Sequence, residues 1–248
     1  MATVRDSDLD ELRQVPLFVD LEREALVVLT RGALLQRFPA GTRLFEMGEH
    51  PDFLHVLLEG SVQLSAEDAG RRNVVIEIVT PPDCFILAAA LTDTPYLMHA
   101  TVLEPARLLL LPAEALRAEI AARPQLALTL LASLAGQFRR MVRQVKNLKL
   151  RTTVQRLGCY LLSLAGEFGA EAPSTATTVQ LPYDKHLIAS QLGMTRESLS
   201  RALAALREVG VRTRGDQVFL DDPAALAAFC RPDALIDGVE QELRVPRG

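Results

Sequence analysis

Apolar residues follow three rhythms along this chain, and each rhythm predicts its own kind of element. Over residues 6–31, Leu9, Leu12, Leu17, Phe18, Leu21, Leu26 and Leu29 supply apolar positions of a helical lead-in, with Ser7 or Asp8 as its cap. From about residue 34 the apolar runs shorten and Gly and Pro punctuate them. Strands are predicted at 43–45, 53–58, 61–64, 74–79, 101–102 and 107–111. Between them lie turns at Phe38-Pro39-Ala40-Gly41-Thr42, Met47-Gly48-Glu49-His50-Pro51, Glu59-Gly60 and Pro81-Pro82-Asp83, and a polar loop at 66–72. Many short strands at this spacing predict an antiparallel barrel or roll.

Helical spacing returns over 113–122, and Pro124 opens a much longer helix. Along it Leu131, Leu134, Phe138, Met141, Val145, Leu148 and Thr152 step by three and four, which is a heptad seam. Such a seam predicts pairing with a second copy of the chain; packing on its own barrel is the alternative for part of it. A further helix is expected over 153–168, with Val154, Leu157, Leu161, Leu162 and Leu164 inward. A small-residue loop over 169–178 and a short strand over 179–181 follow.

Residues 182–209 read as a helix-turn-helix. Leu187, Ile188 and Leu192 mark a first amphipathic helix, Gly193 supplies a turn, and Thr195 is a good N-cap for a second helix. The second helix buries Leu199, Ala202, Leu203 and Leu206 and shows Arg196, Glu197, Ser200 and Arg201 on its other face. Those side chains suit base edges: Arg pairs with guanine, Glu accepts from cytosine, and Ser bonds either partner. They lie where a recognition helix makes base contacts. A plain surface helix would explain any one of them, but not the turn, cap, apolar face and polar quartet together. Residues 211–220 then read as a two-stranded wing with Arg214-Gly215-Asp216 at its tip. A last helix over 222–229 is capped by Asp221 or Asp222, and 232–248 form a charged tail.

Composition narrows the class. The chain has 248 residues, 49% of them hydrophobic, enough for two cores. No apolar run approaches 20 residues, so neither a signal peptide nor a membrane span is expected, and the chain reads as cytoplasmic. Cys84, Cys159 and Cys230 form no CxxC pair; they read as buried or incidental thiols, not as a zinc or iron–sulfur site. Net charge is −4, but residues 139–156 carry Arg139, Arg140, Arg143, Lys146, Lys149, Arg151 and Arg156 and no acid. The DNA-facing part is therefore expected to be locally basic. No G-x-S-x-G, HExxH, Walker or strand-borne GxGxxG motif occurs, which argues against an enzyme. A ligand-binding module built of barrel and dimer helix alone is the other rival; the recognition quartet and wing argue against it.

The order barrel, long helix, winged helix-turn-helix resembles the CRP/FNR family of bacterial transcription regulators over nearly the whole chain. The resemblance rests on Pro39-Ala40-Gly41, Leu44-Phe45, Gly48, Leu58-Glu59-Gly60 and, most specifically, Gly193 through Arg201. It implies an α+β fold: a β-roll with N-terminal helices over 1–122, a dimerisation helix over 123–152, a winged helix-turn-helix domain over 153–231 and a tail over 232–248. It also implies a homodimer on a palindromic operator. Ser200 is similar to the FNR branch, with half-sites like TTGAT, and Arg196 to the CRP branch, with half-sites like TGTGA, so a shared TGA core is expected. Arg201 and Glu197 would read bases, Arg196 and Ser200 bases or phosphates, and Lys185, His186, Arg212 and Arg214 phosphates. RNA polymerase is a further partner if the protein activates.

The sensory stretch departs from the family's cyclic-AMP pattern. Where that pattern places the Glu that meets ribose and the Arg and Ser around the phosphate, this chain carries Leu87, Met98 and His99. An apolar pocket cannot hold a cyclic phosphate cheaply, so no cyclic AMP binding is expected. Residues 1–30 contain no cysteine for an FNR-type cluster. Two readings remain for a pocket at Leu87, Tyr96, Met98 and His99. One is haem, ligated by His99 and sensing a gas, or a small apolar effector; the other is a vestigial pocket. An ordinary structural histidine is the competing reading of His99, as it is of His55, and Cys84 could be a second soft ligand but sits in an apolar run.

Overall fold

Two long strands carry the N-terminal sheet where several short ones were expected. The computed structural model describes residues 2–4, 8–19, 21–67, 69–70, 73–166 and 175–237. The chain begins with β1 (Ala2–Thr3), α1 (Leu9–Leu12), α2 (Arg23–Leu29), β2 (Leu34–Phe38) and β3 (Arg43–Phe45). Next come β4 (Phe53–Glu67), β5 (Asn73–Val79), β6 (Asp83–Phe85), α3 (Leu87–Thr92) and β7 (His99–Pro112). The antiparallel order is β1-β2-β7-β4-β5, with β3 added to β7 and β6 to β4.

β4 joins the strands expected at 53–58 and 61–64, and β7 joins those expected at 101–102 and 107–111. The Glu59-Gly60 pair is therefore not a turn. The ladder slips there, from Leu57 opposite Leu108 to Glu59 opposite Arg107 and Ser61 opposite Glu104, so the strand bulges instead of reversing. Gly60 permits this: its φ is +82°, and a Cβ would lie 2.3 Å from the Pro105 carbonyl oxygen. The slip changes which residues face which core. Before it, Leu54 and Val56 join the helix-side core of Leu12, Phe18, Leu26 and Leu116, while Leu57 faces the strand-side core of Phe45, Phe85 and Leu108. Beyond it the even-numbered Val62 and Leu64 face the strand side.

The lead-in is two short helices, not one, with Pro16 and a run of turns between them; Leu17, Phe18 and Leu21 reach the helix-side core from those turns. Asp8 stands at the first N-cap, but its side chain does not cap that helix, and Ser7 lies outside the described residues. Arg107 ties this region down by donating to Glu11 and, through Nε at 2.7 Å, to Glu59, which also receives Arg37 at 2.8 Å. β1, β6 and α3 were not expected.

The rest of the chain forms α4 (Ala113–Ala122), α5 (Pro124–Leu150), α6 (Thr153–Leu164), β8 (Thr177–Gln180), α7 (Lys185–Gln191), α8 (Arg196–Leu206), β9 (Val211–Arg214), β10 (Gln217–Leu220), α9 (Pro223–Cys230) and α10 (Ala234–Asp237). Contacts divide the chain inside α5, into one unit running to Gln137 and another from Phe138. The long helix ends before Thr152, the last expected seam position. Thr152 instead caps α6, accepting from the Gln155 amide while the Gln155 side chain accepts from the Thr152 amide. The wing sheet has three strands, β8-β10-β9, because Thr177 and Thr178, expected in a loop, pair with Leu220 and Phe219. The rest of that loop over 169–174, the expected helix end at 167–168, part of the polar loop at 66–72 and the tail over 238–248 lie outside the described residues. Among the described residues no helix is long and apolar enough to cross a membrane.

Candidate nucleic-acid interface and sensory region

α7 starts at Asp184, whose carboxylate accepts from the Leu187 amide at 2.8 Å. It ends in a Schellman motif: the Met194 amide donates to the Ala189 carbonyl at 2.9 Å and the Gly193 amide to the Ser190 carbonyl at 3.0 Å. That motif needs a left-handed residue, and Gly193 supplies it at φ +62°. Thr195 then caps α8, accepting from the Ser198 amide at 3.1 Å. α8 buries Leu199, Ala202 and Leu206 and half-buries Leu203, as its spacing predicted.

Arg196, Glu197, Ser200 and Arg201 are exposed together on the outer face of α8. Arg201 rests on the Ser198 hydroxyl at 3.2 Å. The backbone amide at the helix start and the Thr195 hydroxyl hold the Glu197 carboxyl below its ordinary range, so it is an acceptor-only group, as a cytosine amino group requires. His186 is exposed and Lys185 half-buried on α7, and Arg214 is exposed at the wing tip. Arg212 is placed differently from the free phosphate contact expected of it. It donates twice to Asp221, at 2.6 Å each, and lies over the Phe219 ring at 5.5 Å.

The basic run also differs from expectation. Arg151 pairs with Asp237 at 2.6 Å and Lys146 with Asp233 at 3.6 Å. Arg156 is buried, at 7% exposure. Its guanidinium donates to the carbonyls of Arg151 at 3.1 Å, Leu148 at 3.5 Å and Gly193 at 3.2 Å. It therefore closes the carbonyl end of α5 and holds the helix-turn-helix turn in one grip, and burial lowers its pKa. Sequence reasoning counted this residue in a locally basic stretch. The available signal was its place between the inward-facing Val154 and Leu157 on α6.

Along α5 the seam residues Phe138, Met141, Val145 and Leu148 are exposed, Phe138 at 67% and Met141 at 61%. Leu131 is exposed too, and Leu134 packs partly on the helix-side core.

The four sensory positions do not share one side of the sheet. Leu87 packs in the helix-side core, whereas Tyr96 and Met98 meet the strand-side core. Ile86, the residue before Leu87, is left-handed at φ +58°. His99 turns to the 46–47 segment, where its Nδ1 lies 3.2 Å from the Met47 amide and against the Glu46 carboxylate. A single nitrogen cannot accept from the amide and donate to the carboxylate at once; either way Nδ1 is engaged. The histidine inside the strand-side core is His55, flanked by Phe45 and Phe85 with ring centroids at 5.3 Å in both cases. Phe45 in turn stacks on Tyr96 at 3.9 Å. Burial pushes the His55 pKa down to about 4 against a weaker contribution from the Phe53 backbone, and its Nδ1 has no hydrogen-bond partner.

Two family models match the chain: a cyclic nucleotide-binding domain over residues 35–123 and a Crp-like helix-turn-helix domain over residues 155–229. A CRP-like cAMP-activated global transcriptional regulator of Mycobacterium tuberculosis is 30% identical over 90% of this chain and the whole of that protein. The chain belongs to the CRP/FNR family of transcription regulators. A global nitrogen regulator of Synechococcus elongatus is 26% identical over 78% of this chain and 88% of its own length. In fold, this CRP/FNR regulator is similar to FixK2 of Bradyrhizobium japonicum, with a TM-score of 0.64 at 20% identity over 79% of this chain and 96% of that one. The family is one of DNA-binding transcription regulators, which agrees with the site just described.

Two outcomes follow for the buried polar groups. Arg156→Met leaves three carbonyls without their donor and is expected to destabilise the winged-helix unit by about 2–4 kcal/mol in urea denaturation. Arg156→Lys is expected to recover little, because one ammonium cannot span a planar fork's three partners. His55 is neutral in the fold, so the unfolded chain takes up a proton first as pH falls. Stability is retained above pH ~6.5 and declines as pH drops towards about 4, by about 3 kcal/mol in all, and His55→Phe flattens that slope in urea denaturation at stepped pH.

Proposed function

We propose that this regulator acts as a homodimer that reads a palindromic, TGA-containing operator through Arg201 and Glu197. The observation that carries the reading is the exposed quartet Arg196, Glu197, Ser200 and Arg201 on a helix whose turn and cap are fully bonded. Arg201 takes a guanine and Glu197 a cytosine amino group; Arg196 and Ser200 contact bases or phosphates. Thr195 fixes the helix start. Lys185, His186 and Arg214 approach phosphates, with Arg212 held back by Asp221. The exposed apolar seam of α5 supports the dimer, which would set two reading helices about 34 Å apart. RNA polymerase is the further partner of an activating form.

The β-roll, on this reading, answers to something other than cyclic AMP. Activation by cAMP belongs to the name of the mycobacterial relative. Here Leu87 and Met98 stand where the family pattern has its Glu and Arg, and Leu87 is buried on the helix side of the sheet. Neither can offset the desolvation of a cyclic phosphate. A haem fits the residues poorly because the rings of Phe45, Phe85 and Tyr96 fill the strand-side core; the bonds of His99 Nδ1 at Glu46 and Met47 leave its Nε2 as the one nitrogen that could ligate iron. A small apolar effector is the reading kept. The packed rings favour one alternative, a regulator with a vestigial pocket whose DNA binding needs no effector.

Selection from random duplexes is expected to return a TGA-containing palindrome. Arg201→Ala is expected to weaken binding to it by about 1–3 kcal/mol per half-site while leaving circular dichroism and sedimentation unchanged. Phe138→Glu is expected to yield monomers in sedimentation. Unchanged affinity of Arg201→Ala for the selected site would sink the readout assignment.

Calorimetric titration with cAMP is expected to give no saturable heat, and haemin no stoichiometric Soret band. Saturable cAMP binding would overturn the ligand assignment. A Soret band that shifts with carbon monoxide or nitric oxide, and disappears in His99→Ala, would establish the haem sensor instead.

A further inference from the structure

We propose that Cys159 and Cys230 are an oxidation site of the winged-helix unit, a dithiol that peroxide-class oxidants convert to an intradomain disulfide. The two residues lie 71 positions apart on α6 and α9, and both side chains are buried. Their placement is close. The Cys159 thiol lies 3.9 Å from the Cys230 carbonyl. Room for the Cys230 sulfur is made by Gly158, where an added Cβ would lie only 2.0 Å from Cys230 Sγ. The sulfurs also interact with each other: the Cys159 thiol donates towards Cys230, which raises the Cys159 pKa and lowers that of Cys230. Cys230, the last residue of its helix, is assigned as the nucleophile, and Cys159, inside α6, as the resolving thiol.

Access comes from the position of Cys230 in its helix. It is the final residue of α9, beside the exposed Phe229, and Arg231 after it takes a left-handed φ of +52°. Terminal turns open at lower free energy than helix interiors, so an oxidant reaches Cys230 without unfolding the unit.

The chemistry balances with hydrogen peroxide as the oxidant. The Cys230 thiolate attacks one peroxide oxygen, the O–O bond breaks, and a sulfenic acid forms as water leaves with a proton. Cys159 sulfur attacks that sulfur, the S–O bond breaks, the S–S bond forms, and a second water leaves. The two sulfurs together give up two electrons, and the peroxide takes both. Cys84, buried in the N-terminal unit with Ser133 Oγ 3.6 Å from its sulfur, is an internal control.

The test uses the reduced full-length protein, treated with excess hydrogen peroxide under native conditions, alkylated and mapped by peptide mass spectrometry. The expected result is one linked peptide pair, Cys159–Cys230, in most molecules, with Cys84 still alkylated and the link removed by dithiothreitol. Cys159→Ser is expected to leave Cys230 as a sulfenic acid trapped by dimedone. If that variant fails to fold, Cys159→Ala replaces it, and the wild-type map decides by itself. Cys159 and Cys230 both remaining alkylatable after peroxide would overturn the proposal. So would links involving Cys84, the mixture that oxidation in denaturant gives.

Discussion

The buried guanidinium of Arg156 is the constraint on which the reading head depends. A helix that stops, as α5 does at Leu150, leaves carbonyls without intrahelical partners, and a cation is the favoured group there. A second unsatisfied carbonyl arises where the helix-turn-helix turns through the left-handed Gly193. Arg156 bonds to both places, so one desolvated charge meets two needs that would otherwise each leave a carbonyl without this partner. Leu148 strengthens the joint. Its Cδ2 occupies the space a side chain at position 193 would need, 2.5 Å from the missing Cβ. Leu148 is also a seam residue, so the last turn of the apolar stripe on α5 and the turn before α8 are in direct contact. The end of α5 and the turn before α8 are thus joined by packed atoms and hydrogen bonds.

A comparable economy governs the N-terminal sheet. A strand alternates faces with period two, so one strand serves two cores only if its outward residues on each side are equally apolar or if the register slips. β4 uses both means. Leu54 and Val56 face the helices while Leu57 faces the strand-side core; then the slip at Gly60 brings Val62 and Leu64 to that same core. The sensory region inherits this two-sidedness. Leu87 is placed on the helix side after the left-handed Ile86, and Tyr96 and Met98 come to the other side. Positions that a linear pattern treats as one pocket are divided by the sheet. What the strand-side core does hold is a ring cluster around His55, an imidazole kept neutral by burial.

How legible each part was in the sequence follows from how local its interactions are. The helix-turn-helix was readable because a Schellman glycine, a threonine cap and a 3.6-residue apolar stripe all act within a few residues. The extent of α5 was readable for the same reason. β8 was readable only in its second half, within the strand expected over 179–181; Thr177 and Thr178 look like loop residues until Leu220 and Phe219, some forty positions on, pair with them. The continuity of β4 and β7 was hidden because Glu59-Gly60 and Pro105 carry turn chemistry, and the same residues serve a bulge. The basic run misled for a related reason. Sequence reports a charge but not the side of the helix it leaves from, and the acids that neutralise Arg151 and Lys146 lie far along the chain at Asp237 and Asp233.

That redistribution of charge changes how the regulator would hold DNA. Net charge is −4, and Arg151, Arg156, Lys146 and Arg212 are committed to internal partners. Counterion release gives affinity in proportion to the phosphates neutralised, so each cation committed to an internal partner lowers the sequence-independent share of binding. Lys185, Arg196, Arg201 and Arg214 remain near the reading surface, and Arg201 is assigned to a base. On the proposed reading, base contacts then carry a larger share of the affinity for an operator. Arg156, counted in the sequence among the cations of a basic run, is instead spent on the carbonyls of α5 and of the helix-turn-helix turn, and its charge is lost to the sequence-independent part of binding.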